Sequence, residues 1–346
     1  MYGKNVEIRT VNLKNRAERS EVDEFLKQQE LLLEKDVEFT LAIYEDDKII
    51  GTGSITGNVL KCIAIDPEFQ GEGFSNKLVS MLLSEQYQRG NSHLFIFTKP
   101  KNSKMFQDFG FKEITSVDGQ VTLLENNPRG IEDYTSRLKS QRRDGKIVSG
   151  LVMNCNPFTF GHQYLIETAS ANSDVVHIFV VWEDRSVFPS NVRYRLVKEG
   201  TKHLKNVFVH RGENYIISNS TFPSYFLKEK NSIVSIHAKL DVKIFGEFIA
   251  PALGINRRYV GQELSDPVTK EYNTVMIETL RDYNIEVIEI ERKKIHEAAV
   301  SASRVRELIR NGEIEKVRHL VPQTTYEFLI SEEAGPIVEK IINDKK

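Results

Sequence analysis

Residues 174–182 read DVVHIFVVW, an almost unbroken apolar run. A strand with one face in water alternates polar and apolar residues, whereas one that is apolar throughout must be covered on both faces. The runs KIVSGLVMN (146–154), NVFVHRG (206–212), SIVSIHAK (232–239), RRYVGQ (257–262) and IEVIEIE (285–291) read as companion strands. Helical patterns separate or follow them at 161–171, 190–204, 271–283, 301–311 and 313–320. Strand–helix alternation of this kind predicts an α/β domain: a doubly wound parallel sheet with helices on both faces. Ligands bind such sheets beyond the carboxyl ends of the strands, where the direction of winding reverses.

The preceding half is patterned differently. NVEIRTVNL (5–13) reads as a strand, 15–33 as a helix, and FTLAIYEDDKIIGTGSI (39–55) as a hairpin turning at Asp46–Asp47. VLKCIAI (59–65) ends in the Gly-rich loop DPEFQGEGFS (66–75). A helix with Leu78, Val79, Leu82 and Leu83 on one face follows, then the strand HLFIFT and a short helix ending in FQDFGF. This is an α+β pattern. A polar stretch at 125–146, with Pro128, Gly130, Gly145 and the pair Arg142–Arg143, marks the division. The reading is a first domain over 1–130, a linker over 131–145 carrying a bridging helix, and a second domain over 146–346. A chain of 346 residues accommodates two domains.

Bulk properties exclude several classes of partner. The formal net charge of −2 gives no electrostatic reason to expect nucleic acid or an anionic membrane. The N-terminus lacks a signal-peptide core, and no apolar run approaches the ~20 residues that span a bilayer, so a cytoplasmic protein is expected. The two cysteines, Cys62 and Cys155, lie in apolar surroundings and read as small buried hydrophobes, not as a disulfide or zinc site.

Two segments carry chemistry. In MNCNPFTFGHQYLIETA (153–169), a strand ends near Met153 and a helix opens at Gly161–His162, at the ligand edge of the sheet. The free N–H groups and positive end of such a helix suit phosphate. Gly161 lets the backbone come close, and Thr159 and His162 can donate hydrogen bonds as charge grows on a phosphate. In VSASRVRELIRNG (300–312), Ser301 or Ser303 caps a helix with the apolar face Val305, Leu308 and Ile309, ended by Gly312. Two hydroxyls, free N–H groups and Arg306 make that helix start a second anion site.

TFGH (159–162) resembles the (H/T)xGH signature of the nucleotidyltransferase superfamily, and SASRVR (301–306) resembles its late ISSxxV(K/R) signature. The resemblance implies attack of an anionic oxygen on the α-phosphorus of ATP, with Mg²⁺ assisting and pyrophosphate leaving. It implies that His162 and Thr159 are catalytic. It also implies that Asn156, Phe158, Gly161, His162, Arg185, Ser301, Ser303 and Arg306 hold ATP, with Asn156 standing where relatives often have Asp. In the first half, Gln70-x-x-Gly73-x-Ser75 resembles the pyrophosphate-binding loop of GNAT acetyltransferases, and NSKMFQDFGFKEI (102–114) resembles their closing helix and turn.

The combination of the two modules, with NVLKCIAIDP, NPFTFGHQYLIE and YVGQELSDPVTKEYN, resembles the citrate lyase ligase family over the whole chain. That resemblance implies that acetate is activated as acetyl-adenylate and passed to a thiol. The thiol belongs to the dephospho-CoA-derived prosthetic group of the citrate lyase acyl carrier subunit, an arm that Gln70, Gly71, Gly73 and Ser75 would hold. Arg257, Arg258, Lys239 and the loop 261–269 are candidates for the acetate pocket, and Arg137, Lys139, Arg142 and Arg143 for meeting an acidic carrier. The alternatives are an adenylyltransferase for a phosphate-ester acceptor with an appended acetyltransferase, or a non-catalytic nucleotide-sensing module. The first calls for extra Arg or Lys near the first turn, and 154–170 contains none.

Overall fold

The computed structural model describes residues 6–117, 119–183, 185–217, 222–226, 230–263, 266–291, 294–295 and 298–344. They form two compact units, one of residues 1–132 with 223–236, the other of 133–222 with 237–346. The segment 223–236, read from sequence as part of the second domain, therefore packs with the first.

The first unit is built on a seven-stranded sheet of order β1-β2-β3-β4-β5-β7-β6. Its strands are β1 (Val6–Thr10), β2 (Phe39–Glu45), β3 (Lys48–Thr56), β4 (Val59–Ile65), β5 (Phe95–Thr98), β6 (Lys112–Val117) and β7 (Val121–Glu125). The helices are α1 (Arg16–Gln28), α2 (Phe74–Gln88) and α3 (Ser103–Asp108). The hairpin turns at Asp46 and Asp47, both with positive φ, as expected of short side chains that tolerate that conformation. Leu78, Val79 and Leu82 of α2 are fully buried against Leu41, Ile43, Ile55 and Leu60 of the sheet. Only β4 and β5 run parallel, and they pair at just two positions, Val59 with Phe95 and Leu60 with Ile96. Beyond those positions no further pairing joins the two strands.

Helix α4 (Gly130–Lys139) carries the chain into the second unit. Far from being a free linker, its buried Tyr134 donates to the carbonyl of Arg211 at 3.2 Å and faces the Tyr215 ring at 4.9 Å. Arg137 pairs with Glu213 at 2.8 Å, Arg143 stacks on Phe208, and Arg142 lies against Gly254. Three of the four basic residues expected to meet a carrier, Arg137, Arg142 and Arg143, thus have contacts within their own unit, and Lys139 is exposed.

The second unit holds a five-stranded parallel sheet of order β10-β9-β8-β11-β12. The strands are β8 (Val148–Met153), β9 (Val175–Val180), β10 (Val207–Arg211), β11 (Arg257–Gly261) and β12 (Glu286–Ile290). They alternate with α5 (Phe160–Ala171), α6 (Ser190–Gly200), α7 (Lys230–Ile244, which belongs to the first unit up to Ile236 and to the second from His237), α8 (Ala250–Leu253) and α9 (Pro267–Arg281), and α10 (Ala302–Arg310), α11 (Gln323–Leu329) and α12 (Gly335–Asn343) follow. All six residues of β9 are buried, as its composition demands. On one face Ile166, Leu196, Val305, Ile309 and Phe328 pack in a single core with Ile178 and Val180. On the other, Phe245 meets Phe179 edge-on at 6.0 Å.

The expected strand at 232–239 lies inside α7. Its β-branched run suggests a strand, but the less-buried positions Lys239, Lys243 and Glu247 recur every fourth residue, a period visible only in a window longer than the run itself. The helix expected at 313–320 is a 3₁₀ segment, Ile314–His319. Among the described residues no helix is long and apolar enough to cross a membrane.

Candidate active site

The chain winds from β8 through β9 to β10 in one direction, and β11 and β12 lie on the other side of β8. The winding reverses between β8 and β11. These two strands pair only at Ser149–Arg257 and Gly150–Arg258, so their carboxyl ends are not joined. A cavity of about 440 Å³ lies there, with Met153, Thr159, Gly161, His162, Val260, Ile290, Glu291, Ser301 and Ser303 on its wall.

The first wall is the start of α5. Thr159 is its N-cap, with extended φ and ψ, and its hydroxyl accepts the backbone N–H of His162. His162 reciprocates: its Nδ1 accepts the backbone N–H of Thr159 at 3.1 Å and lies 2.9 Å from Thr159 Oγ1. This is a capping box in which an imidazole replaces the usual Glu or Gln. Because Nδ1 is an acceptor here, the proton of the neutral ring sits on Nε2. The ring lies parallel to that of Phe158, with centroids 6.0 Å apart.

The second wall is the start of α10. Ser301 caps it by accepting the N–H of Arg304 at 3.2 Å. The two walls are in backbone contact: a Cβ added to Gly161 would lie 2.8 Å from the carbonyl oxygen of Val300. Glycine is needed there for helix-to-strap packing as much as for approach to a ligand. Arg306 fastens the same seam by donating to the Asn156 carbonyl, and its other amino group reaches Ser303 Oγ at 3.2 Å. Burial, then the neighbouring Arg310, holds its pKa below the usual guanidinium value. Two helix N-termini thus open on one cavity, and their partial positive charges add.

The expected site residues divide into two groups. Thr159, Gly161, His162, Ser301 and Ser303 face the cavity. The other four are not on its wall. Asn156 accepts the N–H of Phe188 at 3.0 Å through its side chain. Phe158 is fully buried, and a Cβ on Gly200 would come within 2.5 Å of its ring. Arg306 is the clamp just described, and Arg185 is exposed on the 181–189 loop. Of the acetate candidates, Arg257 pairs with Glu286 at 2.7 Å and Lys239 is exposed. Arg258 is buried over the Phe245 ring. In the loop 261–269, Gly261 and Thr269 line the cavity, and Leu264 and Ser265 lie outside the described residues.

The sequence reading missed Arg193. This fully buried guanidinium donates to the carbonyls of Phe188 (2.9 Å), Asn154 (2.9 Å), Val181 (2.7 Å) and Glu183, and to Asn154 Oδ1 at 2.7 Å. It ties the turn after β8 to the loop after β9. A signal was present: Arg193 falls in the buried stripe of α6 with Leu196, Val197 and Gly200, where a charge is out of place.

In the first unit, Gln70 donates to the Ile65 carbonyl at 3.2 Å and pins the Gly-rich loop to the end of β4. Gly71 and Gly73 have φ of +90° and +82°, and Gly73 opens α2 without a side-chain cap. Gln70, Gly71 and Ser75 line a cavity of about 430 Å³ together with Ile63, Thr98, Lys99 and Tyr225.

Comparison with known proteins places these features. Residues 148–329 match the model of the citrate lyase ligase C-terminal domain, and residues 13–121 that of an acetyltransferase (GNAT) domain. The chain is 42% identical over 322 residues to the citrate (pro-3S)-lyase ligase of Klebsiella pneumoniae, covering 92% of this chain and 94% of that enzyme. It is 39% identical over 334 residues to the enzyme of the same name from Escherichia coli K12, with 95% of each covered. The Haemophilus influenzae counterpart is 39% identical over 314 residues, with 89% of this chain and 94% of that one covered.

Proposed function

The chain belongs to the citrate lyase ligase family, and on that premise we propose that it uses ATP to acetylate the thiol arm of the citrate lyase acyl carrier subunit through acetyl-adenylate. The observation that carries this reading is the convergence of the α5 and α10 N-termini, with His162 between them, on one cavity at the winding reversal. A polyphosphate placed there meets free N–H groups from both sides.

The carboxylate oxygen of acetate attacks the α-phosphorus of ATP, the bond to the bridging oxygen breaks, and pyrophosphate leaves. His162 Nε2–H donates to an oxygen of the transferring phosphate, whose negative charge grows in the transition state. Thr159 keeps Nδ1 in the acceptor role and so keeps the proton on the productive nitrogen. The thiol then attacks the acyl carbon, the thioester forms, and AMP departs. Val152, Val260 and Ile290 supply the apolar wall for the acetate methyl. Glu291 would hold a Mg²⁺ bound with the nucleotide. Among the described residues no group of three His, Cys, Asp or Glu gathers, and the cavity wall offers the carboxylate of Glu291. One carboxylate with phosphate oxygens and water is an ordinary Mg²⁺ environment, and the ion's chemistry is charge neutralisation on the phosphates. The Gly-rich loop and cavity of the first unit hold the dephospho-CoA-derived arm.

Isotope exchange between pyrophosphate and ATP tests the reading. Exchange should depend on acetate, and His162→Ala should lower it by about 10²–10³-fold. Exchange that needs a phosphorylated acceptor instead would make the protein an adenylyltransferase, and nucleotide binding without exchange would make it a sensor.

A further inference from the structure

Where β4 and β5 part, the backbone between them should be left without partners. The last paired residues are Leu60 and Ile96. The next polar groups along the gap are the N–H of Cys62 and the carbonyl of Phe97, and one side chain reaches into this step and takes the carbonyl. The Tyr225 hydroxyl donates to Phe97 O at 2.9 Å and lies beside the backbone of Cys62. Burial holds the phenol protonated, which suits the donor role. Tyr225 is only 6% exposed, and its ring sits edge-on to Phe226 at 5.0 Å.

The segment that delivers this ring is anchored. Leu32 donates to the Tyr225 carbonyl at 2.9 Å. Ser224 donates to Glu34 through its N–H (2.8 Å) and hydroxyl (3.0 Å), and Glu34 pairs with the buried Lys61 at 2.7 Å. The 430 Å³ cavity begins where this bridge stops. Its wall runs from Tyr225 along Ile63–Ile65 and Thr98 to Gln70, Gly71 and Ser75 at the start of α2. One end is therefore the Gly-rich loop, and the other is the Tyr225 ring with the Phe97 carbonyl it holds. An extended ligand that enters at the loop meets, at the Cys62–Phe97 step of the gap, a ring whose hydroxyl already holds the Phe97 carbonyl. Any group added to its tip must compete with the ring for space.

We propose that Tyr225 is a specificity-determining residue that ends this cleft, so that it accepts the carrier arm as a free thiol and rejects the acetylated arm. The inference rests on the reading that the first unit holds the arm. Its consequence is directional: substrate is retained and product is released, because acetylation lengthens the tip by three non-hydrogen atoms at the closed end.

The test is calorimetric binding of dephospho-coenzyme A and S-acetyl-dephospho-coenzyme A to the full chain, with AMP saturating the nucleotide cavity. The free thiol should bind the unmodified protein at least about tenfold more tightly than its acetyl form, a discrimination within reach of a small closed pocket. Tyr225→Leu should narrow the ratio to about threefold by admitting the acetyl probe, whereas Tyr225→Phe, which keeps the ring but not the hydroxyl, should preserve it. A purely structural role would move melting temperature in both variants and the ratio in neither. Gly73→Asp should abolish binding of both probes. Equal affinities in the unmodified protein, a ratio untouched in Tyr225→Leu, or binding that survives Gly73→Asp would each overturn the inference. If neither probe binds the unmodified protein, the arm is not held by the first unit and both readings fall, while acetate-dependent exchange still stands or fails on its own.

Discussion

Arg306 reaches across 150 positions of sequence to donate to the main-chain carbonyl of Asn156. One side chain thereby locks the α10 lead-in to the turn after β8. The expectation from resemblance was that it would lie on phosphates. Arg306→Met should remove about 1–3 kcal/mol of stability and raise the KM for ATP, since both walls of the cavity loosen. Thermal unfolding and exchange kinetics check this. Unchanged stability with lost activity would mean that Arg306 acts on the nucleotide and not on the seam.

Thr159 and His162 form a reciprocal cap, so the residues are coupled. Thr159→Val should cost about 1 kcal/mol from the lost cap and should also slow pyrophosphate exchange, because the imidazole loses one of the contacts that orient it. Thr159→Ser keeps the hydroxyl and should restore both.

Gly161 sits where a methyl group would lie 2.8 Å from the Val300 carbonyl oxygen. The obstacle is backbone, so it cannot rotate away. Gly161→Ala should push the α5 and α10 starts apart and lower kcat/KM at least about tenfold, the scale expected when catalytic groups shift by a fraction of an ångström. Activity close to that of the unmodified protein would mean the seam is not part of the site.

Arg193 is completely buried among carbonyl oxygens. Arg193→Met should leave those acceptors without their donor and destabilise the second unit by roughly 3–5 kcal/mol. For a unit of this size that is a fall of roughly 10 °C in melting temperature. A fall of only 1–2 °C would show that water replaces the guanidinium.

His177 and His210 face each other across β9 and β10 with nitrogens 2.8 Å apart. Burial, then the neighbouring His210, lowers the pKa of His177 to about 3, and burial lowers that of His210 to about 4. Both are depressed below the ordinary value near 6.5, so the unfolded chain binds protons that the folded one refuses. Stability from this pair is fully present above about pH 6.5 and is lost as pH falls toward 4, at roughly 1 kcal/mol per pH unit for each ring. Denaturant titrations at pH 7 and pH 5 should show the loss, and His177→Phe should reduce it. A variant with the same pH slope would assign the acid sensitivity elsewhere.

Local pattern made much of this legible. The all-apolar run at 174–182 fixed a strand covered on both faces, and Thr159, Gly161, His162 and Ser301 followed from the rules for helix starts at the ligand edge. The strand expected at 232–239 failed because β-branched residues are ambiguous in a short window. Its helical period emerges only when Lys243 and Glu247 are counted with Lys239.

What the sequence determined by itself was the set of elements, the two helix starts that carry chemistry, and the kinship of each half. Tertiary structure alone decided which of the expected residues reach the cavity and which brace it. It set Arg306 on Asn156, Arg193 among the loop carbonyls, and Tyr225 in the gap between two strands that precede it by more than a hundred residues. The physical reason is the same in each case. A buried donor must find an acceptor, and which acceptor it finds depends on backbone brought close by folding, which spacing along the chain does not encode.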